Sequence, residues 1–170
     1  MLFLLECTNP KDSHIDSERP QFSTTESAEL YFKNVRQYYY DMEELNGKNL
    51  LRLSKSQPKV LYPNITLQIT MDWRTDQAFL TLDENEFFPK NGVTEVYTSD
   101  STGVKEFIQF KQRDRNEAFA TIARLYKSIL NDHKLYVTLD GERYPLLHIK
   151  QDREAFRVTA YDYYRLVGLH

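Results

Sequence analysis

Cysteine occurs once in this 170-residue chain, and glycine only five times. A single thiol forms neither an internal disulfide nor a multi-cysteine zinc site. The closest two glycines, Gly92 and Gly103, are too far apart for either standard phosphate-cradling glycine loop. Four histidines, His14, His133, His148 and His170, contain no H-E-x-x-H pair. No apolar stretch reaches the roughly 18 residues that a membrane helix needs. Charge is nearly balanced, 22 basic against 25 acidic residues, with no run of five like charges. That leaves no basic stripe to track phosphates, so nucleic acid is not an expected partner. No cofactor and no metal are expected either.

What the chain has in excess is aromatic residues, 14% of the total, among them 12 tyrosines and 10 phenylalanines. With 41% hydrophobic and 28% charged residues, the composition is that of one globular domain.

The chain begins Met1-Leu2-Phe3-Leu4-Leu5-Glu6-Cys7 and continues in a polar stretch to about Ser23. An apolar run, a cysteine and then a polar tether resemble the end of a bacterial lipoprotein signal, whose cysteine is acylated. The resemblance implies lipid attachment at Cys7, a tethered position in the bacterial cell envelope, and residues 1–23 as signal remnant or flexible tether. Glu6 departs from the small residue such signals carry, and the apolar run is shorter than a full signal core. The alternative is the frayed end of a cytoplasmic protein with an incidental thiol.

Residues 24–170 are expected to form a single α+β domain. Ser23 and Glu26 form a capping box, and Ala28, Tyr31, Val35, Tyr38, Met42 and Leu45 recur at helical spacing, predicting a helix that ends near Gly47. The period then changes to two. Strands are predicted at 50–53, 64–73, 77–82, 93–98 and 104–111, separated by turn residues. Asp114 with Glu117 starts a second helix that stops near Asn131. Asp140-Gly141 joins strands 134–139 and 142–149 in a two-residue type I′ hairpin. Residues 155–159 read as a further strand, and 160–167 as a short helix capped by Thr159. The sum is an antiparallel sheet of six to seven strands, with two main helices on one face and a short C-terminal helix.

Candidate chemistry is sparse. Asp83-Glu84-Asn85-Glu86 has the D-x-N start of a calcium loop but lacks its glycine and its final glutamate. Asp140, Glu142 and His148 share one hairpin, where exposure favours turn geometry over catalysis. His133 follows a helix end, where the dipole suits it. No G-x-S-x-G elbow exists. Asn64-Ile65-Thr66 is a glycosylation sequon of use only in a eukaryotic secretory pathway.

The dense aromatic spots are Tyr38-Tyr39-Tyr40 and Tyr161-Asp162-Tyr163-Tyr164. Three successive helical residues span about 200° of the helix surface, so the first run cannot all face one core. The expected binding surface is Tyr39, Tyr40, Tyr163 and Tyr164 as one exposed patch, because tyrosine offers a stiff contact area with a hydroxyl. The leading expectation is therefore a non-enzymatic domain that binds a protein or other ligand through aromatic residues. A cytoplasmic acidic inhibitor or immunity-type protein is the first alternative, with Asp41, Glu43 and Glu44 as its exposed carboxylates. An enzyme with an unfamiliar site is the second.

Overall fold

The computed structural model describes residues 15, 16, 18–54, 61–90, 92–111 and 114–169. Cys7 and the apolar run before it lie outside the described residues. The element order is α1 (Glu26–Tyr31), β1 (Tyr40–Leu45), β2 (Lys48–Leu53), β3 (Ile65–Asp72), β4 (Gln77–Glu84), β5 (Thr94–Asp100), β6 (Gly103–Phe110), α2 (Arg115–Leu130), β7 (Lys134–Leu139), β8 (Glu142–Leu146) and α3 (Lys150–Leu166).

The class is α+β, but the single sheet is two antiparallel sheets of four strands, ordered β1-β2-β3-β4 and β6-β5-β7-β8. At the start of β4, residues 22–24 lie along the outer edge of the first sheet. Ala78 N–H donates to the Phe22 carbonyl (2.8 Å) and Thr24 N–H to the Asp76 carbonyl (2.9 Å). α3 packs on β3 and β4, while α2 packs on β4 and also on β6 and β7, so the helices join the two sheets through one core.

The first helix is far shorter than its apolar stripe predicts. Thr25, not Ser23, caps it, accepting from Ala28 N–H. After Tyr31 the backbone loosens into a π turn (Phe32–Arg36) and one 3-10 turn (Gln37–Tyr39), then runs straight as β1. Asn46 and Gly47, at φ 53° and 73°, make the two-residue turn that returns β1 onto β2. Gly47 is thus a hairpin residue and not a helix stop.

α2 matches its expected bounds. Asp114 Oδ1 accepts from Glu117 N–H at 2.9 Å, while the Glu117 carboxylate reaches Lys111 N–H (2.8 Å). The Asp140-Gly141 hairpin is also as expected, with φ 50° and 82°. The C-terminal segment differs: the predicted strand and short helix form the single 17-residue α3. Asp152, Ala155, Phe156, Thr159, Ala160 and Tyr163 are its buried stripe at helical spacing, with Thr159 in the interior.

Candidate functional site

The predicted tyrosine patch does not assemble. Tyr163 and Tyr164 are 0% and 1% exposed, and Tyr40 is 6% exposed. The two α3 tyrosines sit in an aromatic cluster, with Tyr164 edge-on to Phe119, Tyr126 and Tyr163 at 5.3–6.0 Å. Tyr163 donates its hydroxyl to the Gln21 carbonyl at 2.5 Å. α3 is clasped between the first sheet and α2, so neighbouring residues on it both face protein. Burial pushes the phenols of Tyr163 and Tyr164 well above their ordinary range.

Tyr40 turns inward because β1 is extended, and its hydroxyl donates to Asp162 on α3 (2.7 Å). Tyr39 remains outside at 42% exposure, and its neighbour Tyr38 is 68% exposed. Their rings lie 4.1 Å apart and their hydroxyls bond at 2.9 Å. The Arg36 guanidinium stacks on the Tyr39 ring at 4.8 Å.

This tyrosine pair leads directly into β1, an edge strand with five of its six residues exposed. Asp41, Glu43 and Glu44 lie there with Met42, which receives a 3.6 Å contact from Gln37. Ser54 N–H donates to the Tyr39 carbonyl. With the register Asp41 to Arg52 and Glu43 to Leu50, the alternation of an antiparallel ladder turns the backbone N–H and C=O of Met42 and Glu44 away from β2.

At the end of the sheet where β1 starts and β4 finishes lies an open groove of about 530 Å³. Among the described residues its carboxylates are Asp41, Glu43, Asp83 and Glu84, and its one cation is Arg52. Arg52 reaches across β3 to Asp83 on β4 (2.9 Å) and back to Glu43 on β1 (4.0 Å). Glu84 accepts from the Thr94 hydroxyl (2.8 Å), yet burial holds its carboxyl above the usual range. Asn85 ties the loop after β4, donating to the Tyr62 carbonyl and accepting from Asn64 N–H. Asn64 also lines the groove, and neither atom of its buried carboxamide has a partner. At 2% exposure Asn64 leaves no room for a glycan in the folded protein.

The stretch 83–86 is thus engaged by Arg52, Thr94 and Tyr62, and no group of three or more His, Cys, Asp or Glu among the described residues is placed to hold a metal. The hairpin trio does not converge. Glu142 accepts from Tyr144 (2.8 Å), whereas His148 is exposed, edge-on to Tyr62 at 4.8 Å. His133 caps the α2 end through its backbone, its N–H bonding Ser128 and its carbonyl accepting from Arg153. Asp83 and Glu84 are both hydrogen-bonded, to Arg52 and Thr94, and the groove is open to water.

Asp41, Glu43, Asn64 and the stretch 83–86 each stood out in the sequence, but not as one site, because they come from separate strands and strand ends that only the sheet register brings together. The β1 edge had a signal: Asn46-Gly47 is the same turn signature as Asp140-Gly141. No protein-family model matches the chain, and no curated protein or solved structure does.

Proposed function

We propose that this is a non-enzymatic binding domain that adds a basic, extended segment of a partner protein to the β1 edge. The observation that carries the reading is the combination on one strand of outward backbone groups, three carboxylates (Asp41, Glu43 and Glu44) and no cation, next to the exposed Tyr38-Tyr39 pair. Free edges recruit peptides through main-chain hydrogen bonds, while side chains choose the partner. Carboxylates choose a basic one and repel acidic ones. The tyrosines contribute stiff contact area at small entropic cost. This merges the aromatic-surface expectation with the acidic-interaction one.

Peptides of alternating lysine and valine test it, followed by fluorescence anisotropy at low salt with the full chain. Saturable binding is expected, weakened by salt, lost in Glu43→Lys/Glu44→Lys, and lost when alternate peptide amides are N-methylated. Equal binding of an alternating glutamate and valine peptide, or indifference to the charge reversal, overturns the reading. Tethering to an envelope through Cys7 is a separate proposal, resting on residues 1–23 alone. Acylation labelling in a bacterial host tests it, and a product without lipid at Cys7 sinks it.

A further inference from the structure

We infer that the sheet-end groove is the socket for one long cationic side chain, lysine or arginine, of the basic partner. This rests on the β1-edge reading and deepens it. Asp41, Met42 and Glu43 belong to both the edge strand and the groove, so a segment laid along β1 carries its side chains across the groove mouth. The groove is lined by four carboxylates, and among the described residues Arg52 is the one cation that opposes their charge.

Asn64 is the second, independent observation. It is 2% exposed and lines the groove, and neither Oδ1 nor Nδ2 has a hydrogen-bond partner. A buried polar atom left unpaired destabilises the fold. Structural asparagines avoid that cost, as the neighbouring Asn85 does by using both ends of its carboxamide. An ammonium or guanidinium head carries only donors. Lodged beside Asn64, such a head donates to Oδ1 and still has N–H groups for a groove carboxylate. An anion meets four like charges there, and a metal ion meets no group of three or more ligating side chains among the described residues.

The test titrates the full chain with Nα-acetyl-arginine methylamide, its lysine counterpart and the uncharged norleucine analogue, followed by NMR of the Asn64 side-chain amide and the Thr66 backbone amide. Saturable millimolar shifts are expected with one or both cationic probes and not with norleucine, and the stronger of the two identifies the head group. Asn64→Ala is expected to weaken binding about tenfold, the cost of one hydrogen bond to a charged group. Glu43→Gln, on the exposed rim, weakens it as well and does not depend on Asn64→Ala folding. No saturable shift, equal shifts with norleucine, or the same resonances saturating with calcium chloride instead overturns the inference. If the probes fail while the lysine-valine peptide still binds β1, the socket is wrong and the edge reading stands. The converse result removes the edge and keeps the socket.

Discussion

Arg36 and Asp162, 126 residues apart, form a bidentate ion pair in which Nε and Nη2 meet the carboxylate at 2.8–3.0 Å. The carboxylate is buried on α3 and also accepts from Tyr40. One acidic side chain thus fixes the π turn, the start of β1 and the C-terminal helix relative to one another.

Removing that carboxylate leaves a partly buried guanidinium and a buried hydroxyl without it. Asp162→Ala is expected to lower unfolding free energy by about 3 kcal/mol, and Tyr40→Phe by about 1.5 kcal/mol. Urea denaturation measures both. Additive losses in the double variant contradict a shared site, since residues in one network couple.

Tyr40, Tyr163 and Tyr164 all have phenols raised above the ordinary value, in each case chiefly by burial, with the Asp162 charge adding to it at Tyr40. The folded state then holds three protons that the unfolded chain releases above pH about 10. Stability is full below that pH and falls above it, by about 4 kcal/mol per pH unit for three groups. Tyrosinate absorbance during an alkaline titration is expected to show these phenols ionising together with unfolding. Smooth ionisation of all twelve tyrosines in the folded chain contradicts their burial.

Glu84 has a carboxyl raised by burial, with the Thr94 hydroxyl partly offsetting it. Its contribution to stability is present below the ordinary glutamate pKa and is lost as pH rises through the folded value. Glu84→Gln, which keeps an oxygen for Thr94, is therefore expected to be more stable than the parent at neutral pH, with the gap closing near pH about 4. Thermal melts at the two pH values check this, and a variant less stable at neutral pH refutes it.

Both hairpin glycines occupy the left-handed region, but their surroundings differ. A Cβ on Gly141 meets nothing within 4 Å, whereas one on Gly47 meets the Arg74 guanidinium at 2.9 Å. Arg74 also donates to the Asn46 carbonyl (3.1 Å). Gly141→Ala is expected to cost about 1 kcal/mol from backbone strain alone. Gly47→Ala costs about 0.5 kcal/mol more, because Arg74 must move. Denaturation midpoints rank the two.

Local signals were legible where one short window decides the structure. The Asp114 cap and the Asp140-Gly141 turn each depend on hydrogen bonds within a few residues, and both stand as expected. The alternation in β3 does give a strand, but its polar residues Gln68, Thr70 and Asp72 are buried like the apolar ones, because the sheet is covered on both faces there. The helical spacing from Ala28 to Leu45 misled because Tyr40, Met42 and Glu44 also alternate with Asp41, Glu43 and Leu45. Pairing with β2 and the bond from Tyr40 to Asp162 settle that ambiguity, and both partners lie elsewhere in the chain.

The sequence by itself determined the α+β class, the second helix, most strands and the near-balanced charge, because propensity, period and composition are properties of neighbours. Only the tertiary structure decided that the tyrosines divide between a buried cluster and one exposed pair, since burial depends on what packs from the other side. It also decided that residues 22–24 pair with the start of β4, while among the described residues no strand pairs with the outer edge of β1. The groove follows from the same cause. Four carboxylates, one arginine and an unpaired asparagine converge there only once four strands are in register.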